Sequence, residues 1–206
     1  VGLTAWQVLV EKGNLKKGQK VFIQAGSGGV GTIAIQLAKH LGATIATTTS
    51  ADNVDLVKSL GADIVIDYKT QDFETILENY DLVLNSQDGK TLEKSFRILK
   101  SGGKVVSISG PPDTDFAKEI GLSWFMKTAI FFLSRKAKKQ AKKLNVDYSF
   151  LFMQANGKQL SEIGKLIEAG VIRPIIDKVF SFEQTNEAMS YVASGRARGK
   201  VIVKLK

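Results

Sequence analysis

The spacing of hydrophobic and polar positions changes sharply near the start of the chain. The apolar run Val21–Ile23 ends at a cluster of glycines, Gly26–Gly31. Runs rich in β-branched and aromatic residues are typical of buried strands, whereas apolar residues three and four positions apart share one face of a helix. The second spacing begins inside the glycine cluster, at Val30, Ile33, Ala34, Leu37 and Ala38. The pattern predicts a strand, a tight glycine turn and a helix.

Similar apolar runs return along the rest of the chain, with helical patterns between them. The predicted strands after the first are Ala43–Thr49, Asp63–Asp67, Tyr80–Asn85, Gly102–Gly110 and Asp147–Met153. Strands that alternate with helices form a parallel sheet with helices on both faces. We therefore predict one α/β domain over residues 1–206, a Rossmann-type doubly wound parallel sheet of about six strands. A further strand, Lys200–Leu205, is predicted to close the chain.

Two helical segments lie outside this alternation. The first, Val1–Lys16, is predicted to begin with Thr4 as its N-cap and to end at Gly13. The second is an insertion over residues 116–144, after the fifth strand. It is predicted to contain an amphipathic helix, because its apolar residues recur at helical spacing. This stripe consists of Leu133, Ala137, Ala141 and Leu144.

Composition is ordinary except in the inserted helix. The 206 residues are 44% hydrophobic and 24% charged, which is normal for a globular protein. The lack of cysteine excludes disulfides and thiolate metal sites within this sequence. The formal net charge is +9, and much of the excess lies in the insertion. Six cations cluster there with no acid among them: Arg135, Lys136, Lys138, Lys139, Lys142 and Lys143.

The inserted helix has three open interpretations. It can be a solvated helix packed on its own domain, a contact for nucleic acid or a membrane surface, or a contact for a protein partner. The aromatic residues before the cations can be core, cover a cleft or form a dimer contact. They are Trp124, Phe125, Phe131 and Phe132.

The glycine turn carries the candidate chemistry. Gly26, Gly28 and Gly31 have the G-x-G-x-x-G spacing between a predicted strand and a predicted helix. In that context the first glycine allows the turn, the second lets backbone approach a pyrophosphate, and the third allows close packing. Unpaired N–H groups at the helix start then hold the phosphates. The predicted binding residues are Gly26, Ser27, Gly28, Gly29 and Val30, and a simple turn is the alternative.

The end of the second strand indicates which dinucleotide binds. NAD-binding domains usually place an acid about 20 residues past the glycines, where it bonds the ribose 2′-hydroxyl. Here Thr47–Ser50 occupies that place, so a 2′-phosphate meets no carboxylate. We therefore predict NADP, with Thr49 and Ser50 as candidate ligands. In the alternative interpretation, Ser50 only caps the following helix, Ala51–Leu60.

Other strand ends should lie on the same edge of the sheet. In open α/β sheets, ligands bind outside the carboxyl ends of the strands. Asn85, Ser109 and Gly110 follow the fourth and fifth predicted strands, so they are candidate cofactor contacts. Ordinary turn chemistry accounts for the same residue types.

These motifs resemble the medium-chain dehydrogenase/reductase superfamily, and most of all its zinc-independent quinone oxidoreductase branch. The resemblance runs from Gly2–Trp6 through Ala25–Gly31 and Gly61–Asp63 to the closing Gly195–Val203. It covers only the family's cofactor-binding domain. Members carry a GroES-like catalytic domain ahead of such a stretch, so we expect this chain to be a fragment or an excised domain.

The resemblance also implies roles for single residues. It places Thr4 near the nicotinamide, as an alternative to the N-cap, and Tyr68 beside the 2′-phosphate with Lys69 as a possible charge. Backbone groups of Leu151, Phe152 and Met153 are implied to face the nicotinamide carboxamide. The chain departs from the family where Asn53 replaces a frequent lysine. It also has Asn85 and Ser86 at an Asp-x-x-Gly position.

The expected function is the NADPH-binding domain of a quinone or enone oxidoreductase. Hydride would pass to a quinone, enone or aldehyde, in a cytoplasmic enzyme that forms a homodimer. The isolated domain is expected to be inactive, and neither catalytic nor metal-ligating residues are assigned within it. Nucleic acid and membrane are not expected partners. Two alternatives stay open: a nucleotide-sensing module whose basic helix contacts nucleic acid or an acidic partner, and a fragment of a zinc-dependent alcohol dehydrogenase.

Overall fold

The computed structural model describes residues 1–205 and contains a six-stranded sheet. Every pair of neighbouring strands in it is parallel, and the order is β3-β2-β1-β4-β5-β6. This confirms the predicted Rossmann-type doubly wound sheet. Its strands are β1 (Lys20–Ile23), β2 (Thr44–Thr49), β3 (Ile64–Asp67), β4 (Tyr80–Asn85), β5 (Leu99–Ser107) and β6 (Asp147–Phe150).

Helices cover both faces of the sheet. They are α1 (Gly2–Trp6), α2 (Gly29–His40), α3 (Val54–Ser59), α4 (Gly89–Arg97), α5 (Thr114–Glu119), α6 (Trp124–Lys143), α7 (Gly157–Glu168) and α8 (Thr185–Ala193). Short 3₁₀ turns lie at Ala51–Asn53, Phe73–Thr75 and Phe182–Gln184. Side chains alternate across a strand, so Val21 and Ile23 pack with α2 while Phe22 packs on the other face with α4 and α6.

The strand order creates a switch point beside β1. From β1 the chain first adds β2 and β3 on one side and then crosses over to β4 on the other. The loops that follow β1 and β4 therefore diverge, which leaves a crevice at the carboxyl ends of these two strands. In doubly wound sheets this crevice is where ligands bind.

The end of the chain forms a separate two-stranded parallel sheet. The predicted closing strand is present as β8 (Lys200–Lys204), but it pairs with β7 (Ile176–Ser181) and does not extend the main sheet. The N–H of Gly199 donates to the carbonyl of Ser27 at 2.9 Å. This bond attaches the segment before β8 to the glycine turn.

The first helix differs from its prediction. Helix α1 continues as a π-helix over Gln7–Lys12, and Gly13 caps its C-terminal end as expected. Its N-cap position is Val1, so the prediction that Thr4 caps the helix is wrong. Thr4 lies one turn inside, because the helix begins at Gly2.

The inserted segment contains two helices, α5 and α6. The predicted amphipathic stripe is only partly buried: Ala137 and Ala141 pack against the domain, whereas Leu133 and Leu144 are exposed. The rest of the packed face consists of Ile130 and Ser134. Within residues 1–205, no helix is both long enough and apolar enough to cross a membrane.

Candidate functional site

The glycine turn between β1 and α2 is held by the end of β2. The N–H of Ala25 donates to Thr48 Oγ1 at 3.1 Å, and the N–H of Gly26 donates to the Thr48 carbonyl at 2.9 Å. Ala25 has a φ of 52°, a left-handed conformation that costs a non-glycine residue about 1–2 kcal/mol. The two hydrogen bonds that Thr48 of β2 accepts offset this cost and hold the turn in one conformation.

Two of the three motif glycines are required by packing. A Cβ on Gly26 would lie 2.1 Å from Thr47 Oγ1, and one on Gly31 would lie 2.3 Å from the Ala25 carbonyl oxygen. A Cβ on Gly28 would lie 3.2 Å from that same oxygen. Gly26 and Gly31 therefore allow the turn to fold against β2 and α2. The protein's own packing constrains Gly28 much less, which leaves close approach of a ligand as its predicted role.

The N-terminal end of α2 offers free backbone donors. Gly28 is its N-cap, and no side chain caps this end. The first N–H groups of a helix have no acceptor within the helix, and the helix dipole makes this end positive. Ser27, Gly29 and Val30 are only half-buried. The turn is therefore suited to bind an anionic group such as a diphosphate.

A cavity of about 1090 Å³ opens beside this turn. Ser27 and Gly28 line one side, and the end of β2 with Thr49 and Ser50 lines the next. Thr49 Oγ1 donates to Ser27 Oγ at 2.9 Å, which joins the two sides. The cavity is large enough for a sizeable part of a dinucleotide.

The far wall of the cavity is rich in cations. Tyr68 and Lys69 come from the loop after β3. Within residues 1–205, four lining cations form no salt bridge: Lys69, Lys90, Arg196 and Arg198. A fifth, Lys94, is paired with Asp72, and their hydrogen bond lowers the pKa of that carboxyl. Three carboxylates, those of Asp52, Asp72 and Asp177, line the cavity as well, and five cations against three acids leave an excess of positive charge. This excess favours an anionic ligand.

The two arginines were not among the predicted site residues. They lie between α8 and β8, far along the chain from the glycine turn. Asp177 orients this segment by accepting from the Arg198 N–H at 3.1 Å and from the Tyr191 hydroxyl at 2.7 Å. The second bond raises the pKa of Tyr191, so the phenol stays neutral. Two arginines between two glycines were the available sequence signal, but only the fold brings them to the cavity.

Comparison with known proteins identifies the family. A family model described as zinc-binding dehydrogenase matches residues 60–203. The NAD(P)H oxidoreductase RTN4IP1 of Danio rerio is 38% identical over 216 residues, which covers 100% of this chain and 55% of that protein. The chain belongs to the zinc-binding dehydrogenase family. This confirms the predicted membership of the medium-chain dehydrogenase/reductase superfamily.

Other relatives of this chain include a reductase and a protein of solved structure. The 2-methylene-furan-3-one reductase of Solanum lycopersicum is 33% identical, over 97% of this chain and 44% of that protein. The quinone oxidoreductase of Coxiella burnetii superposes with a TM-score of 0.84 at 30% identity, covering 100% of this chain and 58% of that one. The chain spans about half the length of the curated relatives it matches.

Asn85 lies at the carboxyl end of β4, but its side chain is fully buried. Its Nδ2 donates to Gln24 Oε1 at 2.8 Å, and its Oδ1 accepts from Ser107 Oγ at 2.6 Å. Gln24 Nε2 donates in turn to Ser95 Oγ at 2.8 Å. The Asn85 amide therefore links β1, β4 and β5. Its hydrogen-bonding groups hold the strand ends together instead of pointing into the crevice.

Ser109 and Gly110 form the turn after β5. The N–H of Gly110 donates to Ser107 Oγ at 2.8 Å, and a Cβ there would lie 2.7 Å from both Ser107 Oγ and the Tyr148 hydroxyl. Ser109 is exposed, and its hydroxyl donates to the Gln87 carbonyl. Burial raises the pKa of Tyr148, which stays neutral and donates to the Pro111 carbonyl at 2.7 Å. A cofactor contact at this turn remains a prediction.

Leu151, Phe152 and Met153 follow the end of β6 without regular structure. The N–H of Leu151 donates to the Ser107 carbonyl at 2.9 Å, and its side chain is buried. Phe152 and Met153 are exposed at the same edge of the sheet. The fold thus brings this loop near the ends of β4 and β5, but none of the three lines the cavity beside the glycine turn.

Ser50 stands at the N-cap position of the turn Ala51–Asn53, but its side chain makes no capping bond. The Oγ of Ser50 accepts from Asn53 Nδ2 at 3.1 Å. Asn53, which replaces a lysine frequent in the family, thus supports Ser50 without supplying a charge. Within residues 1–205, no three His, Cys, Asp or Glu side chains are grouped as possible metal ligands.

Proposed function

We propose that this chain binds the dinucleotide of a nicotinamide-dependent oxidoreductase. The observation that carries the proposal is the uncapped start of α2, whose N-cap Gly28 lines a cavity with more cations than acids. In this arrangement the N–H groups of Ser27, Gly29 and Val30 hold the diphosphate, and the adenosine half lies in the cavity. The Gly28 N–H already donates to the Ala25 carbonyl at 2.9 Å, so Gly28 contributes close approach and no donor. The family supports the proposal, because several relatives are named as NAD(P)H oxidoreductases.

We further propose that NADPH is preferred over NADH. The first acid after β2 is Asp52, which comes after Ser50, and Ser50 lines the same cavity as Lys69 and the two arginines. A 2′-phosphate placed near Ser50 and Tyr68 would meet hydroxyl donors and positive charge. A ribose 2′-hydroxyl would find no carboxylate acceptor at the strand end.

When bound, the cofactor supplies the hydride, and the protein supplies position and exclusion of water. The ends of β5 and β6 would then orient the nicotinamide half, at Ser109, Gly110 and the loop 151–153. Asn85 would act only indirectly, because its buried amide holds the strand ends together. We propose an activated acceptor, an enone or a quinone. Relatives named 2-methylene-furan-3-one reductase, NADPH-dependent alkenal/one oxidoreductase and quinone oxidoreductase support that choice. The cytoplasmic location and the homodimer remain predictions.

Calorimetric titration of the chain with NADPH and NADH tests the cofactor preference. We expect NADPH to bind at least about ten-fold more tightly, since charge-assisted hydrogen bonds contribute about 1.5–3 kcal/mol. Ser50→Glu should reverse the preference, because its carboxylate repels the 2′-phosphate. Ser59 is exposed on α3 and does not line the cavity. Ser59→Glu therefore adds the same charge elsewhere and should leave both cofactor affinities unchanged. Equal affinities for the two cofactors would refute the preference.

Turnover provides a second test. We expect the chain alone to bind NADPH without consuming it when a quinone or an enone is added. The measurement is absorbance at the reduced-nicotinamide band over several hours. Steady consumption by a pure sample would show that this chain contains a complete catalytic site, contrary to the proposal.

A further inference from the structure

A buried glutamine holds the loop that follows β6. Gln7 is 6% exposed, and both the oxygen and the nitrogen of its side-chain amide form hydrogen bonds with the backbone of Gln154. Its Oε1 accepts from the Gln154 N–H at 3.1 Å, and its Nε2 donates to the Gln154 carbonyl at 2.8 Å. The same Nε2 donates to Gln159 Oε1 at 2.8 Å. The side chain therefore pairs with one backbone residue as a neighbouring strand would.

This clamp lies next to the proposed nicotinamide loop. Residues 151–153 are held at one end by the bond from the Leu151 N–H to the Ser107 carbonyl, and Gln7 holds Gln154 at the other end. Gln7 is also the residue at which the first helix widens into its π-helical turn, three positions after Thr4. π-Helical turns within α-helices are frequent at functional sites.

We propose that Gln7 is a positioning residue for the nicotinamide half of the dinucleotide site. The inference rests on the proposed function, in which backbone groups of residues 151–153 face the carboxamide. Three residues between two fixed ends have few accessible conformations, so their N–H and carbonyl groups are oriented before the ligand arrives. Without the clamp, binding would have to order this loop, and affinity would fall.

The chain contains a matched control for this clamp. Gln36, on α2, is 8% exposed and brackets a single backbone residue in the same way. Its Oε1 accepts from the Arg173 N–H at 2.8 Å, and its Nε2 donates to the Arg173 carbonyl at 3.1 Å. Arg173 lies between α7 and β7, and neither residue lines the cavity beside the glycine turn. Removing Gln36 should therefore perturb folding much as removing Gln7 does, without touching the loop 151–153.

The experiment compares two ligands on the wild type, Gln7→Ala and Gln36→Ala by calorimetry. NADP⁺ carries the nicotinamide, whereas adenosine 2′,5′-bisphosphate carries only the adenosine half. We expect Gln7→Ala to weaken NADP⁺ binding about ten-fold, comparable to losing one or two hydrogen bonds. Binding of the bisphosphate should stay within about two-fold in the same variant. Gln36→Ala should leave both affinities nearly unchanged.

Hydrogen exchange gives an independent measurement of the clamp. The Gln154 amide should exchange faster in Gln7→Ala, and its rate should not change in Gln36→Ala. If Gln7→Ala does not fold, Gln159→Leu removes one of the three hydrogen bonds, and it should still lower the affinity for NADP⁺ more than that for the bisphosphate.

The outcomes separate the inference from the function on which it rests. In one outcome the wild-type chain binds both ligands, and the ratio of the NADP⁺ affinity to the bisphosphate affinity is the same in Gln7→Ala. This outcome overturns the positioning role of Gln7 and leaves the proposed function standing. Equal losses for both ligands also overturn it, because they indicate a general effect on the fold. A wild-type chain that binds neither ligand overturns the proposed function, and the inference falls with it.

Discussion

The two halves of the sheet's carboxyl edge are built in different ways. Beside β1, β2 and the glycine turn lies an open cavity of about 1090 Å³ whose lining includes unpaired cations. At β4, β5 and β6, the edge is open and exposes Ser109, Phe152 and Met153. Polar side chains there, such as Asn85, point into the sheet and bond to one another.

Under the proposed function, the two halves would recognise the dinucleotide through different atoms. In the half proposed for the adenosine, the charged and hydroxyl groups that line the cavity would decide. In the half proposed for the nicotinamide, buried polar groups fix the backbone, and the backbone would present N–H and carbonyl groups. Substitutions should therefore change specificity in the first half and loop order in the second.

The largest expected effect is loss of the glycine turn itself. Gly31→Ala would place a Cβ 2.3 Å from the Ala25 carbonyl oxygen, which belongs to backbone held by β2. We expect about 3 kcal/mol lower stability, with loss of dinucleotide binding, by chemical denaturation and calorimetry. Gly164→Ala on α7 is the control, because its Cβ meets no atom within 4 Å, and it should stabilise by up to ~1 kcal/mol. Normal binding by Gly31→Ala would show that the turn is more plastic than its packing indicates.

The next effect concerns the arginines that complete the cavity. Removing both side chains, in Arg196→Ala/Arg198→Ala, should weaken adenosine 2′,5′-bisphosphate binding by about ten-fold or more, since charge-assisted bonds to phosphate are lost. The loss should shrink as salt is raised. Lys16→Ala/Lys17→Ala removes the same charge from exposed positions outside the cavity and serves as the control. If the two double variants bind the bisphosphate equally well, the segment 195–198 does not contribute to the binding site.

A smaller effect is expected at the opposite edge of the sheet. Asp81, near the start of β4, is partly buried, which opposes ionisation. Hydrogen bonds from Lys100, the Lys20 N–H and Gln19 outweigh this and lower the pKa of Asp81. Asp81→Asn should cost about 1 kcal/mol of stability at pH 7 and leave dinucleotide affinity unchanged.

The pH dependence of that cost has a definite sign. A carboxyl whose pKa is lowered by folding stabilises the protein above its unfolded-state pKa of about 3.9. This contribution is lost as the pH falls through the folded-state pKa. The stability difference between Asp81→Asn and the wild type should therefore be full at pH 7 and shrink below about pH 4. A difference that stays constant into strong acid would mean that the ionised form is not what stabilises β4.

The smallest effect is expected in α6, which lies outside both halves. Lys136 and Lys138 pair with acids of the same domain, Glu93 and Asp113. Reversing two exposed cations, in Lys139→Glu/Lys142→Glu, should change dinucleotide affinity by less than about two-fold, because solvent screens charges at this distance. Salt-sensitive binding of the wild type to an oligonucleotide, abolished by this change, would support the nucleic-acid interpretation of the helix.

Much of the fold was predictable because local rules agreed with one another. The run Val21–Ile23, the glycines and the helical spacing after them each indicated the same unit, and α2 begins within that cluster, at Gly29. Prediction failed where tertiary contacts compete with local preference. Thr4 is a good N-cap residue, but the helix starts before it. Leu133 fits an apolar stripe, but α6 packs through Ile130, Ser134, Ala137 and Ala141, and Leu133 lies outside this face.

Several residues that were predicted for the site line the cavity, whereas other residues that line it were not predicted. Ser27, Gly28, Thr49, Ser50 and Tyr68 all line the cavity. The arginines before β8 join them only because a bond from Gly199 to Ser27 brings two distant segments together. Asn85 was predicted as a cofactor contact because it ends a strand. A sequence does not show that Gln24 and Ser107 form hydrogen bonds with its amide.

By itself, the sequence determined the parallel α/β architecture and the glycine turn, because strand and helix periodicity and the steric demands of glycine are properties of short segments. The tertiary structure alone decided which cations surround the cavity, which polar side chains are buried, and that Gln7 clamps Gln154. Those depend on contacts between residues well separated in sequence, from 22 positions for Asn85 and Ser107 to 147 for Gln7 and Gln154. At such separations burial and hydrogen-bond geometry, and not local spacing, select the partners.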